Sequence, residues 1–299
     1  MLQKGFDQLL LLDNKASKGH ESYWESSQEL QKILSLNEKV KSKNILQKGF
    51  DQLLLLLLEN KTPKIRSELQ KKLNFLSNKN ILIIDLETTG LPAKKPGFHT
   101  GIDGYYDYKD DSKYNNCRIV QIAWTLICDF NFDKLENIDI ECYIRKPNNF
   151  NIPKDAEKIH KISQNIAMKE GIKLGEIINN KGLKKALFKC DYVIAHNVLF
   201  DVFILLNELH RIKFNKCVTV LNNLLETNKL ICTGEYSKDI CKLRMSGPGY
   251  KMPKLIELYK FYYDEFPENN HNAKDDVNTI VKILGYRPIK NIKKVMIEV

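Results

Sequence analysis

From residue 79 onward the apolar residues come in short runs separated by longer amphipathic stretches, a rhythm that predicts alternating strands and helices. ILIID (Ile81–Asp85), RIVQIAWTLIC (Arg118–Cys128) and IDIECYI (Ile138–Ile144) read as three successive strands, and YVIAH (Tyr192–His196) as a fourth. Helical patterning covers LGEIINNKGLKKALFKC (Leu174–Cys190), VLFDVFILLNELHRI (Val198–Ile212), MPKLIELYKFYY (Met252–Tyr263) and the segment after His271. Three strands followed by helix, strand, helix and a closing helix predict an α/β fold, a mixed sheet with helices on both faces. Pro92–Asn116, rich in Lys, Gly, Tyr and Asp, reads as a surface excursion beside the mouth of that sheet, and residues 287–299 as a basic tail.

The first 78 residues follow another rule. LQKGFDQLLLL stands at Leu2–Leu12 and again, unchanged, at Leu46–Leu56. The echo continues in ELQKIL (Glu29–Leu34) against ELQKKL (Glu68–Leu73), and in KNIL at Lys43–Leu46 and Lys79–Leu82. Leu, Gln, Lys and Glu favour short helices, so residues 1–78 read as a duplicated helical extension in front of a domain at 79–286. Two uses are open: a docking or self-association module, or a weakly constrained extension copied once. The six leucines Leu53–Leu58 need cover from the main domain or from a partner.

Charge narrows the class. Forty-seven Lys and Arg against 37 Asp and Glu give a formal charge of +10, which suits a polyanionic partner and equally suits solubility. Seven dispersed cysteines without a CxxC pair argue against a disulfide framework and a zinc site, and point to a reducing compartment. The longest apolar run is too short to span a bilayer, and the N-terminus lacks a signal-cleavage pattern, so the expectation is an intracellular, cytoplasmic protein without a membrane (host cytoplasm or nucleus if the source is viral).

Within these patterns some acids are misplaced. ILIID runs four aliphatic residues into Asp85, and Glu87 follows two positions later on the same strand face. Asp201 interrupts the apolar run VLFDVFILL, and Asp276 stands in HNAKDDV (His271–Val277). Each has an ordinary reading: a solvated strand end, a first-turn acid favoured by the helix dipole behind a capping Asn197, and an exposed His beside two solvated acids. Together they form a ligand set for hard divalent cations such as magnesium or manganese, whose charge offsets the cost of burying Asp85. Two such ions suit in-line displacement at a phosphodiester, and a neighbouring imidazole, His271 in the approach to a helix starting near Asn272, suits proton transfer from water.

DLETTG, HNVLFD and HNAKDD, in that order, resemble the DEDDh branch of the ribonuclease H-like 3′–5′ exonucleases, which includes the epsilon proofreading subunit of bacterial DNA polymerase III. RIVQIAW, IPKDAEKIHKI (Ile152–Ile162) and GYKMPKLIELYKFYY (Gly249–Tyr263) are similar to further segments of that family, and the likeness runs from about Lys79 to Gly285. The resemblance implies a five-stranded mixed sheet. It implies Asp85, Glu87, Asp201 and Asp276 as ligands of two Mg2+ ions, with Mn2+ as a substitute, Asp85 bridging both and His271 as general base. Asp275, one position short of the family spacing, would stand behind the ligands. Thr88, Thr89, Gly90, Leu91 and Asn197 would contact the terminal nucleotide. Phe200 would be core and His160 structural, and Lys161 stands where the family commonly has glycine.

The function implied is removal of nucleoside monophosphates from the free 3′ end of nucleic acid, with single-stranded ends as the substrate and DNA favoured over RNA. The tyrosines Tyr105, Tyr106 and Tyr108 among lysines would supply a stacking, basic groove, or else a solvated loop. The repeats would supply a polymerase contact or self-association. The alternative is a catalytically inactive nucleic-acid-binding scaffold with the repeats as its adaptor.

Overall fold

The computed structural model describes residues 67–97, 101–267 and 272–286. The repeat segment through residue 66, the tail at 287–299 and His271 lie outside the described residues. In chain order the elements are α1 (Glu68–Lys72), β1 (Ile81–Thr88), β2 (Ile119–Ile127), β3 (Glu141–Ile144), α2 (Lys154–His160), α3 (Gln164–Glu170), α4 (Leu174–Asn180), α5 (Leu183–Lys189), β4 (Tyr192–Ala195), α6 (Val198–Arg211), α7 (Asn215–Glu226), β5 (Leu230–Cys232), α8 (Thr233–Cys241), α9 (Leu255–Tyr263) and α10 (Ala273–Gly285).

The five strands form one mixed sheet in the order β3-β2-β1-β4-β5, with β1–β2 and β2–β3 antiparallel and β1–β4 and β4–β5 parallel. Strand β1 is central, and its side chains alternate between two cores. Leu82, Ile84 and Leu86 pack with α4–α7 through Ile177, Leu187, Val202 and Leu206. Ile81 and Ile83 face α1, α9 and α10 through Leu73, Leu258, Val277 and Ile280. The β1–β2 ladder slips at its end: Glu87 pairs with Gln121 and Thr88 with Ile119. The unmatched Val120 joins a small cluster with Ile152 and Ile162, so the irregularity lies at the strand end that carries the acids.

Several elements depart from the sequence pattern. The helix expected over Leu174–Cys190 is two helices, broken where Gly182 takes φ +98°. The sequence pattern did not locate α2, α3, α7, α8 or the fifth strand, β5, although five strands were expected; β5 has only three residues, and the Asn and β-branched residues of α7 weaken its helical signal. The packed domain also begins before residue 79. Leu69, Leu73 and Leu76 are fully buried in the core beside Ile81 and Ile83. Gln70 donates through Nε2 to the Leu284 and Tyr286 carbonyls (2.6 and 2.9 Å), capping the end of α10. The second ELQKKL copy is therefore part of the domain wall.

The excursion after Pro92 is docked, not a solvated loop. Tyr105 is buried and stacks on Phe203 of α6 at 4.4 Å between centroids, so its ring is unavailable to a nucleotide base. The Tyr108 carbonyl and the Asp111 carboxylate accept from Asn207, and Arg211 donates to the Asp111 carbonyl. Tyr106 and Tyr108 are half-buried. At the end of α2, Lys161 adopts φ +63°, ψ +10°, the left-handed conformation that glycine tolerates at no steric cost. Lys161→Gly is expected to stabilise the domain by about 0.5–1 kcal/mol, read as a higher denaturant midpoint at constant m-value.

Candidate active site

Asp85 and Glu87 share the face of β1 that α10 covers, because residues two apart on a strand point the same way. Helix α10 starts where its sequence dictates: the Asn272 side chain accepts from the Lys274 N–H (3.0 Å). Its first residue is pinned to the sheet by Gln121 of β2, whose buried Oε1 accepts from the Ala273 N–H at 3.0 Å. That anchor sets Asp276 over the end of β1. One carboxylate oxygen from each of Asp85, Glu87 and Asp276 lies within 4.8 Å of the other two.

Asp201 reaches the same place from α6. It is only 2% exposed, and its Oδ1 accepts from the Leu86 N–H of β1 at 3.1 Å. It stands outside the close group of three oxygens but within its field. Burial, then Asp201, Asp276 and Glu87, raise the Asp85 carboxyl well above the usual range. Burial and Asp276 push Glu87 up to about 7; burial and Asp275 push Asp276 to about 7. Asp201 is raised by burial against the opposing backbone hydrogen bonds. None of the four forms an ion pair among the described residues. An all-carboxylate set, mutually repelling and without a side-chain counter-ion among the described residues, fits a hard divalent cation.

This arrangement has a pH signature. With folded-state values near 7 against about 4 in the unfolded chain, Glu87 and Asp276 keep their protons on folding in acid, and stability is lost as the pH rises through about 7. In chelator, the melting temperature is expected to fall by several degrees between about pH 6 and about pH 8, and millimolar magnesium is expected to abolish most of that fall. Differential scanning fluorimetry across the pH series checks it.

The turn after β1 is built inside the chain. The Thr88 hydroxyl donates to the Gly90 carbonyl (2.8 Å). Buried Thr89 donates to the Asn116 carbonyl (3.0 Å) and accepts from the Arg118 N–H (2.9 Å), so its hydroxyl proton is committed to holding the turn. A Cβ on Gly90 would stand 2.9 Å from the Asn116 carbonyl oxygen, which requires glycine there. Leu91 is 77% exposed at the crest.

Asn197 does not cap α6 with its side chain, contrary to the sequence expectation. It takes a left-handed conformation (φ +69°, ψ +47°), its N–H donates to Cys232 Sγ at 3.2 Å, and the residue is exposed beside the site. His160 is buried, with Nδ1 accepting from the Ile162 N–H (3.1 Å), a local packing use. His196 lies between the Thr233 hydroxyl (3.0 Å) and the Pro253 carbonyl (2.8 Å); burial lowers its pKa to about 4. The neutral ring therefore directs its Nε2 proton at the carbonyl. Phe200 is half-buried against the core.

Two supports were missed in the sequence. Gln121 is one, signalled by an amide inside the apolar strand RIVQIAW. The other is Glu208, seven residues beyond Asp201 on α6 and fully buried. It accepts from Arg118 Nε and Nη2 (2.8 and 3.1 Å) and from Arg145 Nη1, joining α6 to the beginning of β2 and the end of β3.

The family model described as Exonuclease (RNase_T) matches residues 82–284. The chain belongs to the RNase_T exonuclease family, whose ribonuclease H-like α/β architecture is the one described above. Solved structures similar to it include Escherichia coli exonuclease I in complex with a dT13 oligonucleotide, at 16% identity and TM-score 0.48, covering 74% of this chain and 42% of that one. Exonuclease X in complex with 5′ overhanging duplex DNA is 16% identical, with TM-score 0.38 and coverage of 69% and 89%. A full-length 3′-exonuclease is 13% identical, with TM-score 0.45 and coverage of 73% and 84%. The chain thus spans well under half the length of exonuclease I. No curated protein sequence matches it. Among the described residues no helix is long and apolar enough to cross a membrane.

Proposed function

We propose that the protein is a two-metal-dependent 3′–5′ exonuclease, hydrolysing the terminal phosphodiester of a nucleic-acid strand and releasing nucleoside monophosphates. The observation that carries this reading is the convergence of Asp85, Glu87 and Asp276 within 4.8 Å, with Asp201 bound to β1 beside them. Bound Mg2+, or Mn2+ in its place, would supply charge stabilisation of the attacking and leaving oxygens. Asp85, Glu87, Asp201 and Asp276 would hold the ions, Asp85 from the centre of the cluster. His271, one residue before the Asn272 cap of α10, would accept the proton of the attacking water. Leu91, exposed at the crest of the turn, and Asn197, exposed at the start of α6, would border the terminal nucleotide.

Single-stranded 3′ ends are the favoured substrate, and DNA is favoured over RNA because the motif order resembles the proofreading branch. The test is digestion of matched DNA and RNA strands carrying a 5′ label, with magnesium or with chelator. A ladder shortening from the 3′ end, with mononucleotide product and only in the presence of metal, is the expected result. Internal cuts, or a ladder indifferent to chelation, would refute the reading.

A further inference from the structure

Residues Leu243–Met252 form a two-armed finger that the site described so far does not use. Its arms are closed by the Lys251 N–H donating to the Leu243 carbonyl (3.0 Å) and by an antiparallel bridge between Arg244 and Tyr250. Ser246, Gly247, Pro248 and Gly249 make the tip, with Gly249 at φ +96°. Every residue from Arg244 to Tyr250 is exposed, including Met245 at 52% and Tyr250 at 37%.

The base of the finger is fixed to the loop that opens α6. Pro253 accepts from His196 Nε2, and Met252 Sδ lies 4.0 Å from Cys232 Sγ, the same sulfur that accepts from the Asn197 N–H. A Cβ on Gly234 would meet Met252 Cγ at 2.7 Å, so this seat is closely packed. Four residues after Asn197 comes Asp201. The finger therefore rises from the rim of the acidic site on the Asn197 side.

Its chemistry is opposite to that of the site. From Lys242 to Lys254 there are four cations (Lys242, Arg244, Lys251 and Lys254) and no acid. Lys251 pairs with Glu257 (2.7 Å), whereas Lys242 and Arg244 form no ion pair among the described residues. Directly bridged residues on antiparallel strands bring their side chains to one face, about 5 Å apart at Cβ. Arg244 and Tyr250 thus present a guanidinium beside a phenol ring, one suited to a phosphate and the other to the face of a base.

We propose that this finger is a binding arm for the single strand upstream of the 3′-terminal nucleotide, with Arg244 on a backbone phosphate and Tyr250 stacked on a base. The proposal rests on the exonuclease reading of the acidic site, and its test separates the two. Affinity for fluorescent dodecathymidylate is measured by anisotropy with the full chain in calcium, and hydrolysis of thymidine 5′-(p-nitrophenyl phosphate), too short to reach the finger, is measured in magnesium. An Arg244→Ala/Tyr250→Ala protein is expected to bind the strand about tenfold more weakly, with a salt slope smaller by about one, and to hydrolyse the ester at the wild-type rate. Arg244→Lys alone is expected to keep the slope. Wild-type strand affinity in the double variant would overturn the finger proposal while leaving the exonuclease reading intact. A wild-type protein inactive on both ester and strands would overturn that reading, and the anisotropy would still decide for the finger.

Discussion

An Asp85→Ala protein is expected to release mononucleotides from a 3′ end at least about 10^3-fold more slowly than wild type, a loss of several kcal/mol of transition-state stabilisation. The size follows from position: Asp85 feels all three other acids of the cluster, which puts it at the centre of the group proposed to hold the metal. The same substitution removes a half-buried, repelled carboxylate. The metal-free protein is therefore expected to melt no lower than wild type, and to lose most of its magnesium-dependent gain in melting temperature. Asp276→Ala is expected to behave alike, whereas His271→Ala is expected to keep the magnesium-dependent gain and to slow turnover. Single-turnover digestion beside thermal melts distinguishes these outcomes; full activity in Asp85→Ala would sink the metal assignment.

The second large effect belongs to stability. Glu208→Gln leaves Arg118 and Arg145 buried without a carboxylate, under a Phe150 ring that lies 4.8 and 5.0 Å from the two guanidiniums. Breaking a buried pair by removing one partner costs about 3–5 kcal/mol, which lowers the melting temperature of a domain of this size by roughly 10 °C or more. Replacing all three residues by apolar ones of similar volume, Arg118→Met, Glu208→Leu and Arg145→Met, is expected to restore most of that loss. Equal melting of wild type and Glu208→Gln would show that the triad carries no such burden.

Asp85 and Asp201 were legible because each breaks a local rule, whereas Asp276 entered only with the whole set and the motif order. A carboxylate ending the apolar run of β1, or inside the apolar stripe of α6, is costly without compensation, and period two already places Asp85 with Glu87. The start of α10 was legible from Asn272 for the same local reason. Gln121 and Glu208 were not, since their partners lie 152 residues away at Ala273 and 90 and 63 residues away at Arg118 and Arg145. No spacing rule carries that distance. The docked state of Tyr105 was hidden likewise, because a tyrosine among lysines reads as surface until Phe203 is seen beneath it.

The seam between repeat and domain is not where a change of composition would draw it. Leu69, Leu73 and Leu76 fill the core, Gln70 closes the final helix, and the second KNIL ends inside the central strand. A protease or a cloning primer that separates the two at residue 79 would strip a wall from the domain and bare the end of α10. Excision between Lys64 and Ile65, where the compact unit begins, is the cut that leaves it whole.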